Sequence, residues 1–224
     1  MKSEDDKVLD YLKGYVSEHK QQLIDSVLDK RTRHVTVLLE DIYQPQNASA
    51  VIRTADCFGL QDVHILEKKH KFKINPRVVH GSSKWVDVHR YDTCANSHQV
   101  CLDRLKNEGY KLLATVPDPN AQSIHDISID EKFALVFGTE MTGITDEMRE
   151  EVDGFVTIPM YGFTESFNIS VSVALALNTV VEKLFSSNVD WKLNEEEKSV
   201  LRLQWYRKIV NRSDLLEKQF LKSL

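Results

Sequence analysis

Two short apolar runs that end in loops of glycine and small polar residues constrain the fold of this chain more than any other feature. Residues 133–137 (FALVF) lead into Gly138-Thr-Glu140, and residues 155–160 (FVTIPM) lead into a loop before a long apolar helix. Continuous apolar runs of this length are typical of strands that helices cover on both faces. Because open α/β sheets bind ligands beyond the carboxyl ends of their strands, we expect these loops to form a binding site.

From His34 onward, strand-like and helix-like segments alternate along the chain. We predict strands at 34–42, 62–67, 86–91, 111–116, 133–138 and 155–159, and helices at 47–58, 96–108, 144–151 and 168–186. This alternation predicts an α/β fold with a mostly parallel sheet.

Amphipathic patterns at both ends indicate helical additions to this fold. Residues 3–30 fit one amphipathic helix or a helix pair, and residues 195–222 fit one further helical segment. We therefore expect a helical extension at 1–32, a main domain at 33–187 and a second helical extension at 188–224.

The predicted helix at 47–58 has an apolar stripe on one side. The stripe follows the three-to-four spacing of a buried helix face and consists of Ala48, Val51, Ile52, Ala55 and Phe58. Ser49, Arg53 and Asp56 are expected to face elsewhere. Asn47 fits the N-cap and Gly59 the position just after the last turn, so Arg53 is held on a rigid element.

The net charge of −5 and the sequence pI of about 5.9 do not indicate a nucleic-acid-binding protein. Two local runs are nevertheless basic, and phosphates respond to the potential within about a Debye length rather than to the total charge. The first run is 68–73 (KKHKFK) with Arg77, Lys84 and Arg90 behind it, and the second is Arg202, Arg207, Lys208 and Arg212. Each run is either an ordinary solvated surface or a phosphate contact.

Other classes of site are not indicated. Cys57, Cys94 and Cys101 form no CxxC pair, so we expect neither a metal site nor a disulfide framework. The acidic start MKSEDDKVLDYLK lacks the features of a secretory signal, and the apolar segment 169–181 is too short to span a bilayer. We therefore expect a cytoplasmic protein with no membrane segment.

Three motifs in a fixed order resemble those of a known family. They are Asn47-x5-Arg53, then Phe137-Gly-Thr-Glu140-x2-Gly143-Ile144, and then Ile158-Pro-Met160 with Ser166-Phe-Asn168-Ile-Ser170. Together they resemble the SPOUT superfamily, in its TrmH/SpoU branch of RNA ribose 2′-O-methyltransferases. The resemblance covers about two thirds of the chain. The GxGxxG fingerprint of ordinary dinucleotide-binding folds is absent.

The resemblance implies a fold, a cofactor and an assembly. The C-terminal part of the sheet would form a trefoil knot, a rare exception to the rule against knotted chains. Its loops would bind S-adenosylmethionine, largely through backbone groups, at Thr115, Gly138, Ile158, Met160 and Phe167. Phe167 stands where many relatives have leucine. The family is homodimeric, and the helix at 168–186 and the terminal helices are the candidate interface.

The resemblance also implies catalytic residues. Arg53 matches the family's catalytic arginine, and Asn47, Glu140, Ser166 and Asn168 would orient the site or hold the ribose and phosphate. A guanidinium is effectively always protonated, so we expect Arg53 to bind a phosphate or stabilise a developing alkoxide. A surface ion pair of Arg53 with Asp56, and simple helix capping by Asn47 and Asn168, remain the alternatives. The histidines His34, His64, His80 and His125 lie outside the motifs and are assigned no chemistry.

The helical N-terminal piece with the start Leu38-Leu-Glu40-Asp-Ile-x2-Pro45-x-Asn47, together with the helical tail that contains Trp205, resembles the tRNA-modifying members of the family more than its ribosomal RNA members. The expected reaction is S-adenosylmethionine-dependent 2′-O-methylation of the conserved D-loop guanosine of tRNA, position 18. A ribosomal RNA 2′-O-methyltransferase is the first alternative, and a non-catalytic RNA-binding protein with the same fold is the second. An unrelated nucleotide-binding α/β module is the third, and it would bind S-adenosylmethionine poorly.

Overall fold

The computed structural model describes residues 3–79, 81–92 and 97–224, and within them two compact units. Residues 32–191 form one unit, and the two terminal segments, 1–31 and 192–224, together form the other. His80, Cys94 and the first residue of the helix predicted at 96–108 lie outside the described residues.

The helices are α1 Glu4–Lys13, α2 Glu18–Leu28, α3 Pro45–Cys57, α4 Pro76–Val79, α5 Ser97–Asn107, α6 Asp146–Glu151, α7 Ile169–Phe185, α8 Glu195–Ile209 and α9 Ser213–Leu221. The strands are β1 Val35–Glu40, β2 Asp62–Leu66, β3 Asp87–Tyr91, β4 Lys111–Thr115, β5 Gln122–Ser123, β6 Phe133–Phe137 and β7 Gly154–Thr157. The predicted alternation is therefore confirmed, with the two-residue strand β5 as an unpredicted addition.

All seven strands form one parallel sheet in the order β3-β2-β1-β6-β4-β7-β5. Strands β1 and β6 lie at its centre, and every residue of both is buried. One face of the sheet packs on an apolar cluster that includes α3 and α7, and the other on a cluster that includes α5 and α6. The α/β class with a parallel sheet is therefore confirmed.

Two details of α3 differ from the prediction. The helix begins at Pro45 after Gln44, so Asn47 lies inside its first turn and the predicted N-cap was wrong. Proline at the first helical position explains the earlier start, because its fixed φ suits a helix and its missing N–H costs no hydrogen bond there. Ser49 was expected to face away from the core but is fully buried, with its Oγ accepting the Asn75 N–H at 2.9 Å.

The helical unit consists of α1, α2, α8 and α9, in which α1 packs on α8 and α9, and α2 packs on α8. The C-terminal segment was predicted as one helix, but it breaks at Val210, and Arg212 adopts a left-handed φ of 56° before α9 begins. Both α1 and α8 begin with a reciprocal capping box, at Ser3 and at Asn194. No helix of the described residues is long and apolar enough to cross a membrane.

Ion pairs join the helices of this unit. Arg207 of α8 donates two hydrogen bonds to Glu217 of α9, at 2.9 and 2.6 Å, and one to Asp5 of α1 at 3.3 Å. Arg202 donates to Asp25 of α2 at 2.8 Å. The arginines of α8 are thus engaged by carboxylates of the same unit.

Candidate active site

The central feature of the sheet is a change of strand order between β1 and β6. Strands β1, β2 and β3 extend to one side, whereas β6, β4, β7 and β5 extend to the other. In open α/β sheets the loops after two such strands diverge and leave a crevice at the carboxyl ends. The first motif follows β1 and the second motif follows β6, so both lie at this crevice.

A chain of hydrogen bonds joins the three motifs at the crevice. Asn47 donates from Nδ2 to Glu140 Oε1 at 2.7 Å, and Asn168 donates from Nδ2 to Asn47 Oδ1 at 3.4 Å. The other oxygen of Glu140 accepts the Tyr43 N–H at 3.2 Å. Three of the predicted site residues, Asn47, Glu140 and Asn168, are therefore brought together.

Asn168 is both a helix cap and a member of this chain. Its Oδ1 accepts the Ser170 N–H at 2.9 Å, which caps α7, and the Ser170 hydroxyl at 2.7 Å. Its Nδ2 remains available for Asn47. The capping function predicted for Asn168 is thus confirmed, and it leaves the amide nitrogen aimed at the first motif.

Arg53 lies on the same helix as Asn47 but outside the hydrogen-bonded chain. Six residues separate the two, which is about 9 Å along a helix axis. The side chain is exposed and makes no hydrogen bond or ion pair with any residue that the structure describes. The surface ion pair with Asp56 is therefore not formed, and the guanidinium is available for an anionic partner.

A buried carboxylate fixes the loop of the second motif. Glu40, at the end of β1, is fully buried and accepts hydrogen bonds from the Thr145 N–H at 3.0 Å and the Thr145 hydroxyl at 2.6 Å. Lys68 lies 3.1 Å from the same carboxylate and donates to Glu147 at 2.8 Å. Burial acts to lower the pKa of Lys68, but hydrogen bonds to Glu147 and Glu40 outweigh it and raise the pKa.

Gly138 allows a close backbone approach within the second motif. A Cβ at this position would lie 2.1 Å from the carbonyl carbon of Gly143, far inside van der Waals contact. Thr139 and Gly143 exchange backbone hydrogen bonds at 2.9 and 3.0 Å, and Gly143 has a left-handed φ of 70°. The loop therefore folds back on its own strand end, a conformation that requires glycine at both positions.

The predicted cofactor residues lie at the carboxyl ends of three neighbouring strands. Thr115 ends β4, Gly138 follows β6 and Ile158 follows β7, and the strands are adjacent in the order β6-β4-β7. Thr115 donates from Oγ1 to the Val136 carbonyl at 2.9 Å, which ties β4 to β6. Thr115, Gly138, Ile158 and Met160 are half-buried, and Phe167 is exposed.

A cavity of about 460 Å³ opens directly after Thr115. It is lined by Val116, Pro117, Asp118, Asn120, Ala121, Arg149 and Phe155. Its volume falls in the range of about 300–1,000 Å³ that small-molecule sites occupy. None of the five predicted cofactor residues lines this cavity. The cavity and the predicted cofactor residues therefore lie side by side at the carboxyl edge of the sheet, where Val116 follows Thr115.

Residues 161–168 form an exposed loop between β7 and α7. Ser166 lies in this loop and makes no side-chain hydrogen bond with any described residue, and its predicted contact with the ribose or phosphate of a substrate stays a prediction. Tyr161 and Phe163 are almost fully exposed, at 96% and 108% of their reference areas. Apolar side chains left this open are typical of interaction surfaces.

The histidines in the described part of the chain that were assigned no role occupy structural positions or the surface. His34 is buried and its Nε2 lies 2.7 Å from the Ile129 carbonyl. His64 is buried beside His89, with its Nδ1 3.0 Å from the Tyr91 hydroxyl, and burial lowers its pKa to about 3. His125 is exposed in a short turn. No cluster of metal-ligating residues occurs among residues 3–79, 81–92 and 97–224.

Sequence reasoning missed the supporting residues Tyr43, Glu40, Lys68 and Thr145. Glu40 carried a usable signal, because a glutamate at the end of a mostly apolar strand needs buried partners. No sequence signal identified the partners of Glu40, since Thr145 lies 105 residues away.

Comparisons with known proteins agree with this geometry. Residues 34–178 match the model of the SpoU rRNA Methylase family. A Borreliella burgdorferi protein named tRNA (guanosine(18)-2′-O)-methyltransferase is 43% identical over 211 residues, covering 94% of this chain and 95% of that protein.

Two solved structures extend the comparison to the fold. The TrmH/SpoU tRNA modifying enzyme of A. aeolicus superposes with a TM-score of 0.71 at 28% identity, covering 87% of this chain and 98% of that one. The SpoU methyltransferase AviRb of Streptomyces viridochromogenes, solved with the cofactor AdoMet, superposes with a TM-score of 0.60 at 21% identity. AviRb covers 72% of this chain, and the match spans 65% of its own chain.

Proposed function

Because this chain belongs to the SpoU rRNA Methylase family, we propose that it is an S-adenosylmethionine-dependent tRNA methyltransferase that modifies the ribose 2′-hydroxyl of guanosine 18. The relative of that name aligns over nearly the full length of both chains, terminal segments included. This end-to-end match favours tRNA over ribosomal RNA as the substrate.

The observation that carries the proposal is the Glu140–Asn47–Asn168 chain of hydrogen bonds at the crevice between β1 and β6. It joins residues of all three motifs although they are separated by 93 and 121 positions in sequence. A site of this kind needs polar groups that are fixed before substrate arrives, because positioning accounts for much of the rate of a bimolecular transfer.

The strand ends fit the cofactor by their chemistry. The loop after Gly138 brings backbone N–H and carbonyl groups close together, and half-buried Ile158 and Met160 offer apolar contact for a flat ring. When bound, S-adenosylmethionine supplies an electrophilic methyl group on a positively charged sulfur. We assign its site to Thr115, Gly138, Ile158, Met160 and Phe167, beside the crevice.

Arg53 has the role of binding anions. A poorly nucleophilic ribose hydroxyl must lose its proton as the new oxygen–carbon bond forms, so negative charge develops on the 2′-oxygen. The unpaired guanidinium of Arg53 stabilises that charge or holds the adjacent phosphate. Asn47 and Glu140 keep their orientation through each other, and Asn168 and Ser166 contact the ribose or its phosphate.

We further propose the assembly and topology that the family implies. The chain is a homodimer, because the loop with Tyr161 and Phe163 and the exposed face of α7 with Val171 and Leu175 present apolar surface. The loops after β6 and β7 form the trefoil knot, the methyltransferase domain spans 33–187, and the protein acts in the cytoplasm, where tRNA is modified.

The test is methyl transfer from methyl-labelled S-adenosylmethionine to unmodified tRNA transcripts and to ribosomal RNA fragments. Digestion and mass spectrometry identify the modified nucleoside. We expect 2′-O-methylguanosine in tRNA alone. If label appeared only in ribosomal RNA, the substrate would be ribosomal RNA and the proposal of a tRNA substrate would be wrong. If the protein bound RNA tightly but transferred no methyl group to either RNA, it would be a non-catalytic RNA-binding protein.

A further inference from the structure

The basic stretch from the end of β2 into α4 contains four cations that have no partner among the described residues. Lys69, Lys71, Lys73 and Arg77 are all exposed. None of the four side chains makes a hydrogen bond or ion pair with a residue in the described part of the chain. We call these four residues the cationic strip.

The segment that carries the strip is firmly anchored. Asp41 accepts hydrogen bonds from the backbone N–H groups of Lys68, Lys69 and His70 at 2.9, 2.7 and 2.8 Å. Phe72 is buried, and the guanidinium of Arg90 lies over its ring. The cations therefore project from a fixed backbone rather than from a loose loop, which reduces the entropy lost on binding.

Alternation of burial aims the strip outward. Lys71 and Lys73 are exposed on either side of the buried Phe72, as in an extended chain with one face on the core. In an extended chain the backbone positions of the two lysines are about 7 Å apart, and their side chains leave the same face. The arrangement presents a row of positive charge to solvent.

The strip leads to Arg53. The Asn75 N–H donates to Ser49 of α3 at 2.9 Å, and α4 packs on the same helix. Arg53 lies one helical turn after Ser49 and shares its side of the helix. The segment that carries the strip is therefore anchored on the same helix as Arg53, and none of these five cations has a partner in the described part of the chain.

Nearby acids form no ion pair with the cations of the strip. Asp41 is occupied by backbone amides, Glu67 by Arg90, and Glu40 and Glu147 by Lys68. Positive charge accumulates here although the whole chain carries a net charge of −5. Such a local field attracts a polyanion from solution.

We propose that the cationic strip binds the phosphate backbone of the RNA substrate and delivers the strand to Arg53. The inference rests on the proposed function for the identity of the polyanion. The cationic strip would be a binding surface outside the three motifs. Its four residues share a positive charge that no described residue pairs with. Contacts of this kind give affinity without reading sequence.

The test compares two variants with the same change in charge. Lys71→Gln/Lys73→Gln removes two cations of the strip, whereas Lys111→Gln/Lys132→Gln removes two at the amino ends of β4 and β6, away from the site. Binding of unmodified tRNA is measured by fluorescence anisotropy from 50 to 300 mM salt, and S-adenosylmethionine binding by calorimetry.

We expect the strip variant to bind tRNA about tenfold more weakly at moderate salt, and to lose about 1.4–1.8 from the slope of log K against log salt. The control variant should match the wild type in tRNA affinity and in salt slope. The affinity for S-adenosylmethionine should be the same in the wild type, the strip variant and the control variant. Arg77→Gln should show about half of the effect on the slope.

Equal affinities and equal salt slopes in the two double variants would overturn the inference while leaving the proposed function intact, provided that the wild type methylates tRNA. A wild type that neither binds nor methylates any RNA would overturn both. A strip variant that unfolds at a lower temperature and loses cofactor affinity would assign the lysines to folding instead, and would equally overturn the inference.

Discussion

The surface around Arg53 and the helix α8 are both rich in basic residues, yet they use them in opposite ways. Arg53 and the cationic strip have no partner among the described residues, whereas Arg202 and Arg207 are held by carboxylates of their own unit. The charges around Arg53 are available to bind a ligand, whereas the arginines of α8 form ion pairs that join helices.

The difference is invisible in the sequence, where both runs look alike. A run of cations indicates a phosphate contact only if its partners are absent, and partners such as Glu217 and Asp5 are distant in sequence or belong to another helix. Substitutions near Arg53 should therefore change activity without changing stability, and substitutions of paired groups should do the reverse.

The largest effect is expected from Arg53→Ala. Loss of a cation at the developing charge should reduce the rate of methyl transfer by about 10²–10³-fold, since single groups of this kind contribute that much. The thermal midpoint should not change, because the side chain contacts no described residue. Single-turnover kinetics and calorimetry test the two halves separately, and a destabilised variant would contradict the unpaired state of Arg53.

Next in size is Glu40→Gln, which tests a paired group close to the site. The change removes the buried one of the two carboxylates that Lys68 contacts, and it weakens both hydrogen bonds from Thr145. We expect a loss of about 2–3 kcal/mol in the free energy of unfolding, measured by urea denaturation, because broken buried pairs are costly. If the variant lost activity but kept its full free energy of unfolding, Glu40 would act in methyl transfer, like Arg53, rather than in folding.

A pH titration of stability gives a smaller effect, of known sign. Burial lowers the pKa of His64 to about 3, so the folded state holds this ring neutral while the unfolded state protonates it below pH 6.5. The unfolded state then binds more protons, and stability falls as pH falls from about 6.5 towards 3. Between pH 7 and 5 the loss should be about 2 kcal/mol.

The variant His64→Gln should flatten this part of the pH profile relative to the wild type. Urea denaturation at several pH values measures it, and an unchanged slope in the variant would assign the pH dependence to other groups.

The smallest effect is expected from Arg207→Ala, the counterpart of Arg53→Ala. Its ion pairs with Glu217 and Asp5 are partly exposed, so their loss should lower the free energy of unfolding by about 0.5–1 kcal/mol. Methyl transfer and tRNA affinity should stay within about twofold of the wild type. A large loss of tRNA affinity would remove the contrast between the two surfaces.

Local patterns predicted much of this molecule. The apolar run at 133–137 and the strand predicted at 34–42 identified the two central strands, because a buried parallel strand reads as a largely apolar run. The stripe of α3 predicted its buried side, apart from Ser49. The resemblance to a known family, rather than any local pattern, implied that Asn47, Glu140 and Asn168 belong to one site.

Long-range pairing accounts for what could not be predicted. Ser49 is buried because a backbone N–H 26 residues away needs its hydroxyl. The break between α8 and α9 depends on a left-handed Arg212, a conformation that no propensity favours. The engagement of Arg207 and the freedom of Arg53 likewise follow from tertiary neighbours rather than from flanking residues.

The acceptor atom can be tested directly with two tRNA transcripts that differ only in a ribose or 2′-deoxyribose at guanosine 18. Methyl transfer from labelled S-adenosylmethionine is followed for both, together with their affinities. We expect 2′-O-methylguanosine in the ribose transcript and no transfer to the deoxy transcript, which should bind comparably. Equal labelling of the two transcripts would place the methyl group elsewhere on the RNA and would contradict 2′-O-methylation at that site.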